Sequence, residues 1–204
     1  MLPTITLKQK QTRDNPMKKL IYIIVITLSI GTSTIANAGD HYWSLANNND
    51  YIMLVFDGSH GASLAEVCPM EFELNNPDVG CYSGFGYDDR YATRPKYETK
   101  VTLLFIFKMK DGNQVIHKIK GVTSIHSSAI KLFNTSELSE MYANDNVHSL
   151  KVTYNTTGAT SDAYFTLSEH PDSYINTLID MQGKRLEFSG IAPEEVLKRA
   201  GIIN

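Results

Sequence analysis

Apolar positions along this chain recur mostly every second residue, the period of a strand with one covered face, and change to a helical period only near the end. Tyr51–Asp57 (YIMLVFD) is apolar, rich in strand formers and bounded by polar residues and Gly58, so it predicts a buried strand. Residues 70–74 (MEFEL) alternate, with Met70, Phe72 and Leu74 opposite Glu71 and Glu73, and predict a strand with one wet face. Residues 99–110 carry the strongest strand pattern. Val101, Leu103, Phe105, Phe107 and Met109 share one side, and Leu104 and Ile106 make the other side apolar as well, which predicts a middle covered on both faces. Asp111, Gly112 and Asn113 form a turn signal, and residues 114–120 return as a hairpin partner.

Residues 122–133 continue as a further extended segment. Asn134, Thr135, Ser136 and Glu137 read as a capping-box opening for a short helix carrying Leu138, Met141 and Tyr142. Residues 147–154 and 162–167 predict a second hairpin, with Leu150, Val152 and Tyr154 facing Ala163, Phe165 and Leu167. After Pro171, Tyr174, Ile175, Leu178 and Ile179 follow helical spacing, and Gly183 is the expected stop. A short strand over 186–188 and a last helix opening at Pro193 complete the pattern. Strands followed by terminal helices predict a mainly β fold: an antiparallel β-sandwich, Ig-like or similar, with one short internal helix and C-terminal helices.

The start of the chain alters where this fold is expected to operate. Lys18 and Lys19 precede an apolar run over 20–30, and Ala36-Asn37-Ala38 supplies the small-residue pattern of a cleavage site. The run is shorter than the roughly 20 residues a membrane-spanning helix needs. Residues 17–38 therefore read as a cleavable Sec-type signal peptide within a leader of residues 1–38, with Met17 as a candidate start. Residues 39–204 form the expected single globular domain. Gly39 after the cut, in place of a cysteine, points to a periplasmic or secreted product without a lipid anchor. Residues 39–204 hold 14 Lys+Arg against 21 Asp+Glu, a net charge of about −7. That balance argues against a nucleic-acid partner, which requires a basic face. No later apolar run is long enough to span a membrane.

Cys68 and Cys81 are the only cysteines. In an oxidising compartment they are expected to pair, closing a loop of about fourteen residues. A metal pair or a catalytic thiol is the competing reading, but neither cysteine lies in a CxxC. The familiar nucleotide, hydrolase, zinc-protease and EF-hand signatures are absent. Ser59 and His60 are adjacent, an arrangement that suits a polar turn better than a nucleophile and its base. His117, His126 and His148 fall on neighbouring predicted strands and could converge on a metal, or serve as hydrogen-bonded core histidines. No cofactor is assigned.

Segment 75–97 stands out as a connection of over twenty residues with little strand pattern, a length uncommon unless the segment binds something. Tyr82, Phe85, Tyr87, Tyr91 and Tyr97 are interleaved with Asp88, Asp89, Arg90 and Arg94. Tyrosine and arginine amid glycine suit recognition, and a lid folded over the open end of the sandwich is the alternative. Asp88 and Asp89 could also offer oxygens to calcium, although two acids beside Arg90 are few. Asn134 and Asn155 each open a match to the glycosylation pattern, expected to be a coincidence because the leader has a bacterial character.

The expected function is that of an exported, non-enzymatic binding protein of the bacterial envelope or exterior, recognising a protein partner through loop 75–97. Alternatives are an immunity or inhibitor protein against an envelope-acting toxin, and a histidine- or metal-dependent periplasmic hydrolase. The closing order L-x-V-x-Y, A-x-F-x-L and amphipathic helix resembles small exported β-sandwich families such as the invasion-associated locus B proteins. The likeness covers about thirty residues and carries no site residue.

Overall fold

In the computed structural model, which describes residues 42–90, 92–170 and 172–199, alternation does set the strand faces. Leu103, Phe105 and Phe107 are wholly buried on one side of Lys100–Met109, while Leu104 and Ile106 on the other side are only half-buried. The expectation that both faces would be covered is thus met only on the inner one. Among the described residues nine strands form: β1 (Ser44–Asn47), β2 (Tyr51–Asp57), β3 (Ser63–Pro69), β4 (Tyr82–Gly86), β5 (Lys100–Met109), β6 (Gln114–Thr123), β7 (Ala129–Phe133), β8 (Val147–Asn155) and β9 (Thr160–Thr166). Three α-helices accompany them among the described residues: α1 (Ser136–Tyr142), α2 (Ser173–Phe188) and α3 (Pro193–Arg199).

The mainly β expectation holds, and every strand pairing is antiparallel. All nine strands lie in one sheet, ordered β1-β2-β3-β4-β7-β6-β5-β8-β9, instead of two hydrogen-bonded layers. The sheet curls until its ends approach across the core without closing. Phe56 of β2 and Phe165 of β9 have ring centroids 6.1 Å apart, and the Tyr164 amide donates to Ser59 Oγ. Gly58 permits this approach, because a Cβ there would lie 2.4 Å from the Phe165 ring.

Helix α2 fills the concave side. Tyr174, Leu178 and Met181 recur at helical spacing and are buried with Trp43, Phe56 and Tyr142 in one core. The Trp43 ring lies 5.0 Å from Tyr174 and 5.1 Å from Tyr142, at the inclined angles aromatic pairs favour. The helix does not stop at Gly183 and leaves no strand at 186–188. It runs to Phe188 and ends where Gly190 takes φ +65°. There the amides of Gly190 and Ile191 bond the carbonyls of Glu187 and Leu186, and Ile191 packs near Leu186, a Schellman ending. A glycine inside a helix costs about 1 kcal/mol, less than the burial that the following turn provides.

Residues 70–74 are not a strand. Phe72 turns into a second small core with Leu186 and Val196, and its amide bonds Ser189 Oγ. The strand in this region is β3, one stretch earlier. The capping box does not form either, since Thr135 shares a hydrogen bond with Ser83 and makes no side-chain cap. Between β6 and β7 the chain turns at residues 124–128, so His126 is not on a strand.

Cys68 and Cys81 form the expected disulfide. The loop it closes is also held by Arg185, which is fully buried. Its Nε donates to the Pro69 carbonyl at 2.8 Å, Nη1 to Pro77 and to Gln182 Oε1 at 3.0 Å, and Nη2 to Glu71 at 3.0 Å. The guanidinium also lies 5.2 Å over the Phe72 ring. Burial lowers its pKa to about 10, so it keeps its charge at neutral pH.

Arg185→Leu strands three backbone acceptors, each costing about 1–3 kcal/mol when buried without a partner. A loss of about 4 kcal/mol in urea unfolding is expected, with loop 70–80 cleaved faster by protease. Reducing the disulfide removes a loop constraint worth about 3 kcal/mol. This should lower the thermal midpoint by roughly 6–12 °C in a chain of this size.

Candidate binding site

The segment expected to be a long connection contains β4, which sits near the middle of the sheet between β3 and β7. This placement separates the residues of the aromatic segment. Phe85 points inward and is wholly buried, and Tyr87 is 4% exposed. Both rings pack against Tyr154, with centroids at 4.8 Å and 5.8 Å. Burial raises the pKa of Tyr87, whose hydroxyl has no hydrogen-bond partner among the described residues. Tyr82 lies on the outer face, with Lys131 Nζ 4.8 Å from its ring centroid. Tyr91 lies outside the described residues.

Asp88, Asp89, Arg90 and Arg94 do gather at one end of the sheet. Asp88 accepts from the Arg90 amide and its guanidinium, which hold its carboxyl below the usual range. Asp89 pairs with Arg94 at 2.9 Å, and Ser128 contacts both. Thr156 Oγ1 donates to the Thr93 carbonyl at 2.9 Å, and Pro95 is buried. With both carboxylates engaged by arginines, this turn is poorly arranged for calcium. Arg90, Arg94 and Tyr97 remain exposed, Tyr97 by 79%.

The three histidines do not assemble. His117 lies on the inner side of β6, where Nδ1 meets Glu137 Oε2 at 2.6 Å and the ring contacts Phe107 at 5.9 Å. His126 lies past the far end of the same strand, whose last residue, Thr123, is already about 20 Å from His117 at the usual strand rise. His148 is exposed on β8, beside the β5–β6 turn. Among the described residues no three His, Cys, Asp or Glu side chains are placed to hold a metal ion. Ser59 and His60 sit in a short 3-10 turn, as the turn reading anticipated.

A cavity that the residue pattern did not announce lies under the sheet. It sits beneath β3, β4 and β7, against α2, and its volume of about 300 Å³ is at the lower end of the range for small-ligand sites. Its inner wall includes the buried Leu132, Tyr174, Leu178, Met181 and Gln182, while the exposed Tyr82, Phe133 and Asn134 lie towards solvent. Glu66 belongs to this wall. It occupies the inward parity of β3 between Leu64 and Cys68, which are both core residues. Tyr174 Oη and Ser139 Oγ each donate to its Oε1 at 3.0 Å. Desolvation raises the pKa of Glu66, only partly offset by these two hydrogen bonds. Burial likewise raises the hydroxyl pKa values of Tyr174 and Tyr142, with the Glu66 charge contributing. An acid at an inward position between apolar neighbours was the available signal, obscured because S-L-A-E-V-C-P does not alternate cleanly.

No family model, curated protein or solved structure matches the chain significantly. The site must be read from its own geometry.

Because its folded-state pKa is raised, Glu66 favours the fold most below the ordinary carboxylate range, and that contribution is lost as pH rises through the folded value. Glu66→Gln should therefore unfold at a higher temperature than the parent at pH 7–8. The gap should close as pH is lowered towards 4.5, which paired thermal melts across that window would measure.

Proposed function

We propose that the chain is an exported, non-enzymatic binding protein of the bacterial cell envelope or exterior, recognising a protein partner through the part of segment 75–97 that follows β4, residues 87–97. The observation that carries this reading is a loop ordered in advance. The Asp88–Arg90 and Asp89–Arg94 pairs, the Thr156 contact and buried Pro95 fix the backbone, while Arg90, Arg94 and Tyr97 stay exposed. Ordering before contact removes part of the entropy cost of association, and arginine and tyrosine are frequent anchors of interfaces.

The curled sheet, with opposite ends facing across one core, supports a sandwich-like scaffold of the immunoglobulin kind. The leader pattern supports a periplasmic or secreted setting. The acidic balance supports a basic partner drawn in by charge, and an envelope-acting toxin would be one such partner. None of His60, His117, His126 or His148 lines the Glu66 cavity, which favours binding over histidine chemistry there.

A photo-crosslinking amino acid placed at Tyr97 tests the reading in living cells. A discrete protein adduct is expected from position 97 and not from Phe188, which is also exposed. Arg90→Ala should weaken that adduct at least several-fold. The same adducts from both positions, or none from position 97, would overturn the assignment.

A further inference from the structure

Glu66 lines the cavity as a carboxyl without a cationic partner among the described residues. Arg185, the buried cation nearby, directs its donors to Pro69, Glu71, Pro77 and Gln182 instead. Both hydrogen bonds to Glu66 fall on Oε1, and neither donor is charged. Glu66 is half-buried, and a carboxylate drawn this far from water is costly unless it is protonated or meets a cation; the cavity is the space from which a cation could approach. Asp78 also contributes to the lining, so negative groups stand at both Glu66 and Asp78, against Lys131 alone. Lys131 is held over the Tyr82 ring. Leu132, Leu178 and Met181 offer hydrocarbon and thioether surface on the inner wall, beside the polar Gln182.

Ligand classes separate on this chemistry. A metal ion would need more donors than the described residues bring together. An anion would meet Glu66 and Asp78. A neutral apolar molecule would fill the space but leave the carboxyl without a partner. An ammonium group on an apolar body satisfies both parts of the wall: charge-assisted hydrogen bonds at one end and apolar burial at the other. We propose that this cavity binds a small apolar amine, its ammonium on Glu66 and its hydrocarbon body against Leu132, Leu178 and Met181. The site is separate from the loop at residues 87–97 and does not depend on that loop binding a protein.

The test uses n-hexylamine as the probe, with n-hexanol as its uncharged counterpart, followed by NMR of the purified protein carrying ¹³C-methyl methionine. Met181 lines the cavity and reports from inside it; a Met181→Leu variant assigns its signal. Titrating n-hexylamine should move the Met181 methyl saturably, and n-hexanol should act at least tenfold more weakly. Glu66→Gln keeps the shape and the acceptor for Tyr174 while removing the charge, so it should weaken n-hexylamine at least tenfold and leave n-hexanol unchanged. Arg90→Ala should leave the titration unchanged. The proposal is overturned if the Met181 methyl does not move, if n-hexanol binds as well as the amine, or if Glu66→Gln binds the amine as tightly as the parent. The wild-type titration decides even if Glu66→Gln fails to fold.

Discussion

The fold depends on one helix stripe meeting a concave sheet. Tyr174, Leu178, Met181 and Arg185 follow one another along one side of α2, and all four are buried. An open sheet curled this far exposes its inner face unless something fills it, and the sheet's two ends do not hydrogen-bond to close it. The first three residues supply apolar volume beneath β1 to β3. The fourth is polar, and it reaches the end of β3 and the loop after it, at the carbonyls of Pro69, Glu71 and Pro77. Removing the helix would therefore uncover the main core and release the disulfide loop together. The Schellman ending at Gly190 continues this arrangement by turning Ile191 and Val196 back onto Phe72.

The same helix also shapes the cavity. Tyr174 packs on Trp43 with its ring while its hydroxyl donates to Glu66, so one side chain belongs to both the aromatic core and the polar wall. Leu178 and Met181 contribute to the core and also line the cavity. An acid placed in such surroundings weakens the fold at neutral pH, since desolvation opposes its charge. An apolar residue at position 66 would fill the space without that cost. That acid, held where packing disfavours it, is the feature on which the proposed amine site rests.

The aromatic segment shows how a strand divides a composition cluster between structural and surface roles. In sequence, Tyr82 to Tyr97 reads as one surface rich in aromatics. Once β4 pairs with β3 and β7, its alternating side chains go to opposite faces. Phe85 enters the core, Tyr82 faces outward, and Tyr87 folds over Tyr154. The remaining loop is shorter and more polar than the sequence suggested, and its two ion pairs give it a defined shape. Buried aromatics and exposed Arg90, Arg94 and Tyr97 thus follow one another within a dozen residues.

Wherever local chemistry was sufficient, the sequence alone determined the element. Strands β2, β5, β8 and β9 follow two-residue periodicity, the β5–β6 turn follows Asp111-Gly112-Asn113, and two cysteines with no other partners form the disulfide. The helical period of residues 174–179 likewise announced α2. Tertiary structure decided what depended on distant partners. It chose β3 over residues 70–74 because Phe72 finds Leu186 and Val196, which lie over a hundred residues away. It carried α2 through Gly183 because Arg185 and Leu186 gain more from burial than a helical glycine loses. It also put the histidines in different places and gave Glu66 its two hydroxyl donors from α1 and α2. Periodicity records which face of an element is apolar, but the neighbours that face meets are set by long-range packing of the whole chain.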